Sequence, residues 1–255
     1  MRGGTLRWTD EMRPAPPLAL GQVDAVMRNG RQRHLMRLDA TPPAEWGERF
    51  SLRAIFKQPL LSRRSGDFLT WSGQVYGEFS RVDVSRVQPY AGLEKLGIAL
   101  NRGQGALRAW SDVSHGKVTG ALVDVALRDV DARLGADLQP LAFNTFAGRV
   151  AASQHAGGFD FSTEGLQFST RNGLQWPGGN LALVHANASR SAPAHTTLKA
   201  DRLDLAALAR IAGRLPLKPS AHRLLASLAP KGLMETLEAR WQGPIDDPLT
   251  FTAKG

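Results

Sequence analysis

The sequence predicts a mainly β protein built on a long antiparallel sheet, and three observations lead there. Apolar and polar residues alternate one by one over much of the chain, the period of a strand with one greasy and one wet face. Most of the 26 Gly and 15 Pro fall between these alternating stretches, as turn residues do. Continuous apolar runs, the mark of parallel strands buried on both faces, are scarce, so the pairing should be antiparallel.

In "SLRAIFK" Leu52, Ala54 and Phe56 share a face and oppose Arg53 and Lys57. "GQVYGEF" sets Val75, Gly77 and Phe79 against Gln74, Tyr76 and Glu78. In "GFDFSTEGLQFST" Phe159 and Phe161 alternate with Asp160 and Ser162, and after Gly165 the apolar pair is Leu166 and Phe168. "LEARWQG" repeats the scheme with Leu237, Ala239 and Trp241, and "QGPIDDP" reads as the turn of a hairpin that leads into Phe251. Asn29-Gly30 and Asn172-Gly173 favour the positive-φ turns that suit strand twist, so meander hairpins are expected.

The pattern breaks twice. "VDVSRVQPYAGLEKLG" predicts a strand ending at Val84 and a short helix or turn near Ser85 to Leu96. "ADRLDLAALARIAGRLP" predicts a strand to Leu203, then a helix whose Leu205, Leu208, Ala209 and Ala212 fall at i, i+3, i+4 and i+7. "SAHRLLASLAPKG" adds a second short helix, with Ser220 as N-cap and Pro230 and Gly232 closing it. Residues 204–230 thus form a helical insertion between strands of one continuous segment, 1–255. "R-V-D-V-S-R-V" and "R-L-D-L-A-A-L" are a weak internal echo of the same strand-to-helix move.

Composition bounds the function. Hydrophobic residues are 42% of the 255, enough for a core or one covered apolar face. There is no cysteine, which removes disulfides, thiolate nucleophiles and cysteine metal sites. No stretch reaches the ~20 apolar residues of a membrane span, and the start lacks the apolar region of a signal peptide. The ends run directly into alternating stretches, "TLRWTDEMR" and "LTFTAKG", so the chain reads as a piece of a longer protein. The net charge of +9 comes from arginines spread at alternate strand positions, Arg37, Arg53, Arg81, Arg108, Arg128, Arg149 and Arg240 among them. That is the pattern of a solvated face. The aromatics fall on the opposite face, whereas a nucleic-acid platform needs aromatic and cation together.

No constellation argues for catalysis, a metal or a cofactor. The six histidines, His34, His115, His155, His185, His195 and His222, lack metal-ligand spacing. Asp246-Asp247 sits between prolines as a turn, and Asp129 and Asp131, on one strand face, are better read as solvated than as cation ligands. No G-x-S-x-G elbow is present.

A one-sidedly apolar sheet must hide that face. Periodicity alone is satisfied most simply by a closed sandwich or barrel, but an open trough that takes apolar ligands also satisfies it. The stretch "ADRLDLAALARIAGRLPL…LLASLAPKGLMETLEARWQGPIDDPLTFTAKG" resembles the YhdP proteins of the AsmA-like group. So do "LRWTDE" followed by "PPLALGQV", then "GRQRHLMRLDATPPAEWG", then "DVALRDVDARLGADLQPLAFNTFAGRV", in the same order over most of the chain. The resemblance implies a twisted sheet curled into an open, taco-like hydrophobic groove. It also implies a periplasmic location, an inner-membrane anchor outside this segment, and non-enzymatic conduction of phospholipid between the two membranes without a cofactor. Under it, Leu52, Phe56, Val75, Phe79, Phe159, Phe161, Leu166, Phe168, Leu237, Trp241 and Phe251 would line the groove against acyl chains. The rival expectation is a β scaffold with a closed core and a basic face that holds a partner.

Overall fold

A computed structural model of the chain describes residues 1–9, 17–59, 67–91, 93, 97–215, 231–243 and 249–255. Among them, fourteen strands form one antiparallel sheet. They are β1 (Gly4–Trp8), β2 (Leu18–Asn29), β3 (Arg33–Thr41), β4 (Phe50–Lys57), β5 (Ser72–Asp83), β6 (Ala99–Ser114) and β7 (Lys117–Arg133). Then come β8 (Leu141–His155), β9 (Gly158–Thr170), β10 (Gln175–Trp176), β11 (Leu181–Ala186), β12 (His195–Asp204), β13 (Leu233–Gln242) and β14 (Thr250–Lys254). Each strand pairs with the next in sequence, except that the short β10 pairs only with β9, so β9 passes directly to β11. The two ends of this meander, β1 and β14, are its edges.

The mainly β, antiparallel architecture is the one the alternation predicts. The expected curl into a taco-like trough is not seen, because the sheet is neither closed nor strongly curled. Alternation decides which side chains share a face. Curvature depends instead on twist, bulges and what packs on the face, and a period-two pattern does not encode these.

Many of the bulges lie toward one end of the strands, the end where β5 and β12 finish. Gln22, Asp129 and Arg202 lie inside strands yet take φ of 48°, 51° and 54°. Register shifts fall between Gly21 and Asp24, between Phe79 and Val82, and between Leu100 and Gln104. A bulge bends its strand and raises the local twist. One consequence corrects the sequence reading: Asp129 is itself left out of the pairing, so the alternation that put it on one face with Asp131 is broken.

Both described α-helices leave the sheet at this same end of the strands, since β5 and β12 run in the same direction. Helix α1 (Val84–Ala91) follows β5 and α2 (Leu205–Ile211) follows β12. The echo noted in the sequence has a physical basis in capping. Asp83 Oδ1 accepts from Ser85 N at 3.0 Å, and Asp204 Oδ1 accepts from Ala207 N at 2.9 Å. In each case an aspartate closes a strand and satisfies the first free amides of the helix. The second helix expected after Ser220 lies outside the described residues, as does the Asp246-Asp247 turn, although β13 and β14 pair antiparallel on either side of it.

Among the described residues, the two helices bury only part of the apolar face. Ala207 and Ile211 of α2 pack with Val130, Ala132, Leu141, Phe143, Phe168 and Leu174, a cluster at the ends of β7, β8 and β9. A second cluster, Leu20, Val23 and Ala40, lies on β2 and β3 at the same end of the strands. Close to it, Tyr90 of α1 meets Trp8 and Trp46 at 5.4 and 5.6 Å between ring centroids. At the opposite ends of the strands, Trp71 stacks on His34 at 3.9 Å and meets Phe56 at 6.0 Å. Backbone approach is closest where β9 begins: a Cβ on Gly158 would sit 1.8 Å from the His185 carbonyl oxygen, and its φ is 150°. Only glycine fits there without moving β11.

Candidate functional site

The register lines up the apolar side chains of successive strands. One row runs from Met27 through Met36, Ala54, Val75, Ser111, Ala121, Ala152, Phe161, Leu183, Leu198 and Ala239 to Ala253, each residue directly opposite the next. It crosses twelve strands with Ser111 as its only polar member. At about 4.8 Å per strand the row is about 53 Å long. A parallel row joins Leu38, Leu52, Gly77, Ala109, Val123, Val150, Thr163, Leu181, Ala200 and Leu237.

Ten of the eleven residues expected to line a groove lie on this face. Leu52 and Val75 are in the two rows, and Phe161 and Leu237 extend them to β9 and β13. Phe79 is opposite Phe50 and Leu107. Phe159, His185, Thr196, Trp241 and Phe251 form a further row toward the other side. Phe56 opposes His34, beneath Trp71. Leu166 is the one set apart. It follows the positive-φ Gly165 within an irregular stretch of β9 and has no cross-strand partner in the register.

These residues do not share one environment. Phe168 is 8% exposed within the α2-capped cluster, in contact with Phe143, Phe146 and Trp176 at 5.2, 6.3 and 5.7 Å between centroids. Phe79 lines a small apolar cavity of about 190 Å³ with Trp8, Leu20, Phe50, Val87 and Tyr90. Phe161 is 37% exposed and Phe251 61%. Of the twelve-strand row, only Ala239 is buried. The face is therefore core near the helices and open surface along its middle.

The opposite face is polar and charge-paired. A row of alternating sign joins Glu78, Arg108, Asp124, Arg149 and Glu164 on five successive strands. Arg149 Nε donates to Asp124 at 2.7 Å and Nη1 to Glu164 at 3.4 Å. The hydrogen bond from Arg149 holds the Asp124 carboxyl below its usual range. Ser51 and then Arg37 do the same for Asp39, and Arg240 does so for Glu238. Tyr76 is shifted the other way, chiefly by burial and then by its bond to Glu78, so the phenol is held neutral. Carboxylates with depressed pKa contribute stability above their unfolded values of about 3.9–4.3, and that contribution is lost as pH falls through the folded values. Melting temperature is expected to hold from pH 7 to about 5 and to drop below about pH 4. Asp124→Asn should flatten the drop in a calorimetric pH series.

Not every residue of this polar face is polar or charged. Trp110 is in phase with Arg108, yet its partners are Tyr76 on β5 and Leu122 on β7. A tryptophan in the polar phase of "ALRAW" is the signal that marks it. Among the described residues no group of three or more His, Asp or Glu is placed to hold a metal ion.

A family model for the YhdP protein matches residues 2–254. The chain belongs to the YhdP family. Comparison with curated proteins and with solved structures returns no match. The YhdP family is an AsmA-like transport family rather than an enzyme family, and membership suggests an AsmA-like lipid-transport role. It also implies a protein of the bacterial envelope. In this YhdP chain no described helix is long and apolar enough to cross a membrane.

Proposed function

We propose that this chain conducts phospholipid without chemistry, with acyl chains lying on the apolar face and headgroups left in water. The observation that carries the reading is the twelve-strand row from Met27 to Ala253, apolar apart from Ser111 and open along its middle. An acyl chain in one leaflet spans about 15 Å, half of the ~30 Å hydrocarbon core, so the row is several times longer than its cargo. Each CH₂ taken from water is stabilised by about 0.8 kcal/mol, and no polar partner is needed. Because Ser111 is the one polar side chain in the row and none in it is charged, a chain can slide from strand to strand without crossing a charge.

In this reading Leu52, Val75, Phe159, Phe161, Leu237, Trp241 and Phe251 meet acyl chains, while Phe168 belongs to the helix-capped core that holds the sheet. The chain works in the periplasm, within a protein anchored in the inner membrane and bridging to the outer one. Any curl needed to shield the cargo comes from lipid on the face or from neighbouring parts of the protein. A scaffold with a wholly closed core fits less well, because Phe161 and Phe251 are exposed. Purification from envelopes without detergent, followed by lipid extraction, tests the proposal. Phospholipid recovered at about one or more molecules per chain is expected. A lipid-free protein would contradict it.

A further inference from the structure

The polar face carries a second surface that lipid conduction does not use. Where β4 to β9 cross its middle there is a shallow depression of about 830 Å³. Its floor is aromatic and aliphatic. Tyr76 and Trp110 are direct cross-strand partners, their ring centroids 5.1 Å apart and their planes inclined by 46°. Leu122 continues the row, and Trp110 is 38% exposed. The walls carry planar polar groups. Gln74 donates to Asp112 at 3.0 Å, Ser153 donates to Asp160 at 3.2 Å, and the Tyr76 hydroxyl donates to Glu78 at 3.0 Å. Arg53 stands opposite Tyr76 on the next strand.

We propose that this depression is a saccharide-binding site that takes a neutral oligosaccharide. A pyranose ring has faces of C–H groups and a rim of hydroxyls that both donate and accept. The rings of Tyr76 and Trp110 can cover the C–H faces, while Arg53, Gln74, Asp112 and Asp160 meet the hydroxyls from the same side of the sheet. The volume lies within the ~300–1,000 Å³ of small-molecule sites and suits several rings better than one.

Other ligand classes fit the lining less well. An acyl chain would strip water from Arg53, Glu78, Asp112 and Asp160 and return no hydrogen bond. A phosphate or a nucleic acid would meet three carboxylates against one guanidinium in the lining. A cationic amine is the nearest competitor, because aromatic faces attract cations. Arg53 opposes it, and the carboxylates are already engaged by Gln74, Ser153 and Tyr76. A hydroxyl can join those hydrogen bonds as donor or acceptor, whereas an ammonium can only donate and leaves Gln74 and Arg53 without an acceptor. The side chains proposed to hold the sugar stand on the other face of the sheet from the apolar row, although residues of that row, among them Val75, Ala121 and Phe161, also border the depression.

An array of immobilised oligosaccharides of glucose, galactose and N-acetylglucosamine tests the site, with calorimetry on any series retained and on choline and spermidine as cationic probes. At least one neutral series should bind. Trp110→Ala should weaken it by about tenfold or more, the loss of roughly one aromatic contact. Trp110→Phe, which keeps an aromatic face, should stay within about threefold. Melting curves establish that both variants fold, and Asp112→Asn gives a second reading should Trp110→Ala melt early. No retained saccharide, retention unchanged in Trp110→Ala and Asp112→Asn, or binding of choline or spermidine in place of sugar would each overturn the proposal.

Discussion

Phe161→Asp is expected to stop lipid passage while the sheet stays folded. Phe161 lies at the middle of the long apolar row, between Ala152 and Leu183 on the neighbouring strands. Neither neighbour offers a charge or a donor, so a carboxylate there meets an acyl chain without a partner. Covering it costs about 2 kcal/mol or more, which corresponds to a rate loss beyond about tenfold. The fold should survive because the position is already 37% exposed and a strand accepts a polar side chain on open surface. Phe161→Ala is expected to change little, within about twofold, because alanine, Ala152 and Leu183 keep the row apolar. Labelled phospholipid arriving in the outer membrane of cells carrying each variant reports both rates. Wild-type passage by Phe161→Asp at normal abundance would remove the apolar row from the mechanism.

Phe168→Ala should do the reverse and act on stability. Its ring is 8% exposed and packs among Phe143, Phe146 and Trp176, beneath the helix that ends β12. Truncating a buried phenylalanine costs about 3–5 kcal/mol, through lost burial and the cavity left behind. Phe161→Ala, on open surface, should cost less than about 1 kcal/mol. The two residues are seven apart on one strand and look alike in the sequence, so the contrast isolates what the helix adds. Urea denaturation of both variants measures it. Equal losses would mean that α2 does not cover the end of β9 as described.

Much of the fold is legible in the alternation. It identifies the strands and their apolar members, and it places Phe56, Val75, Phe161 and Trp241 on a common face that the register then joins. The aspartates of "RVDV" and "RLDL" mark where strands become helices, since capping is local chemistry. What is hidden is long-range. Nothing near Phe168 announces that a helix more than thirty residues later will cover it, nor does its period distinguish it from Phe161. Bulges are equally silent: Asp129 looks like an ordinary strand residue until its φ turns positive. Curvature is the largest such case, because the same alternation serves a flat sheet, a trough or a barrel. On the polar face the aromatic pair of Tyr76 and Trp110 exists only through pairing between β5 and β6, thirty-four residues apart in the chain.

The most direct measurement is photo-crosslinking in living cells, with the reactive side chain placed at position 161 and, separately, at 160. These neighbours point to opposite faces of β9, Phe161 opposite Leu183 and Asp160 opposite Val184. Phospholipid is expected to attach at 161 and not at 160. Lipid at neither position in a folded, abundant protein would contradict it, and lipid at 160 alone would place the conduit on the wrong face.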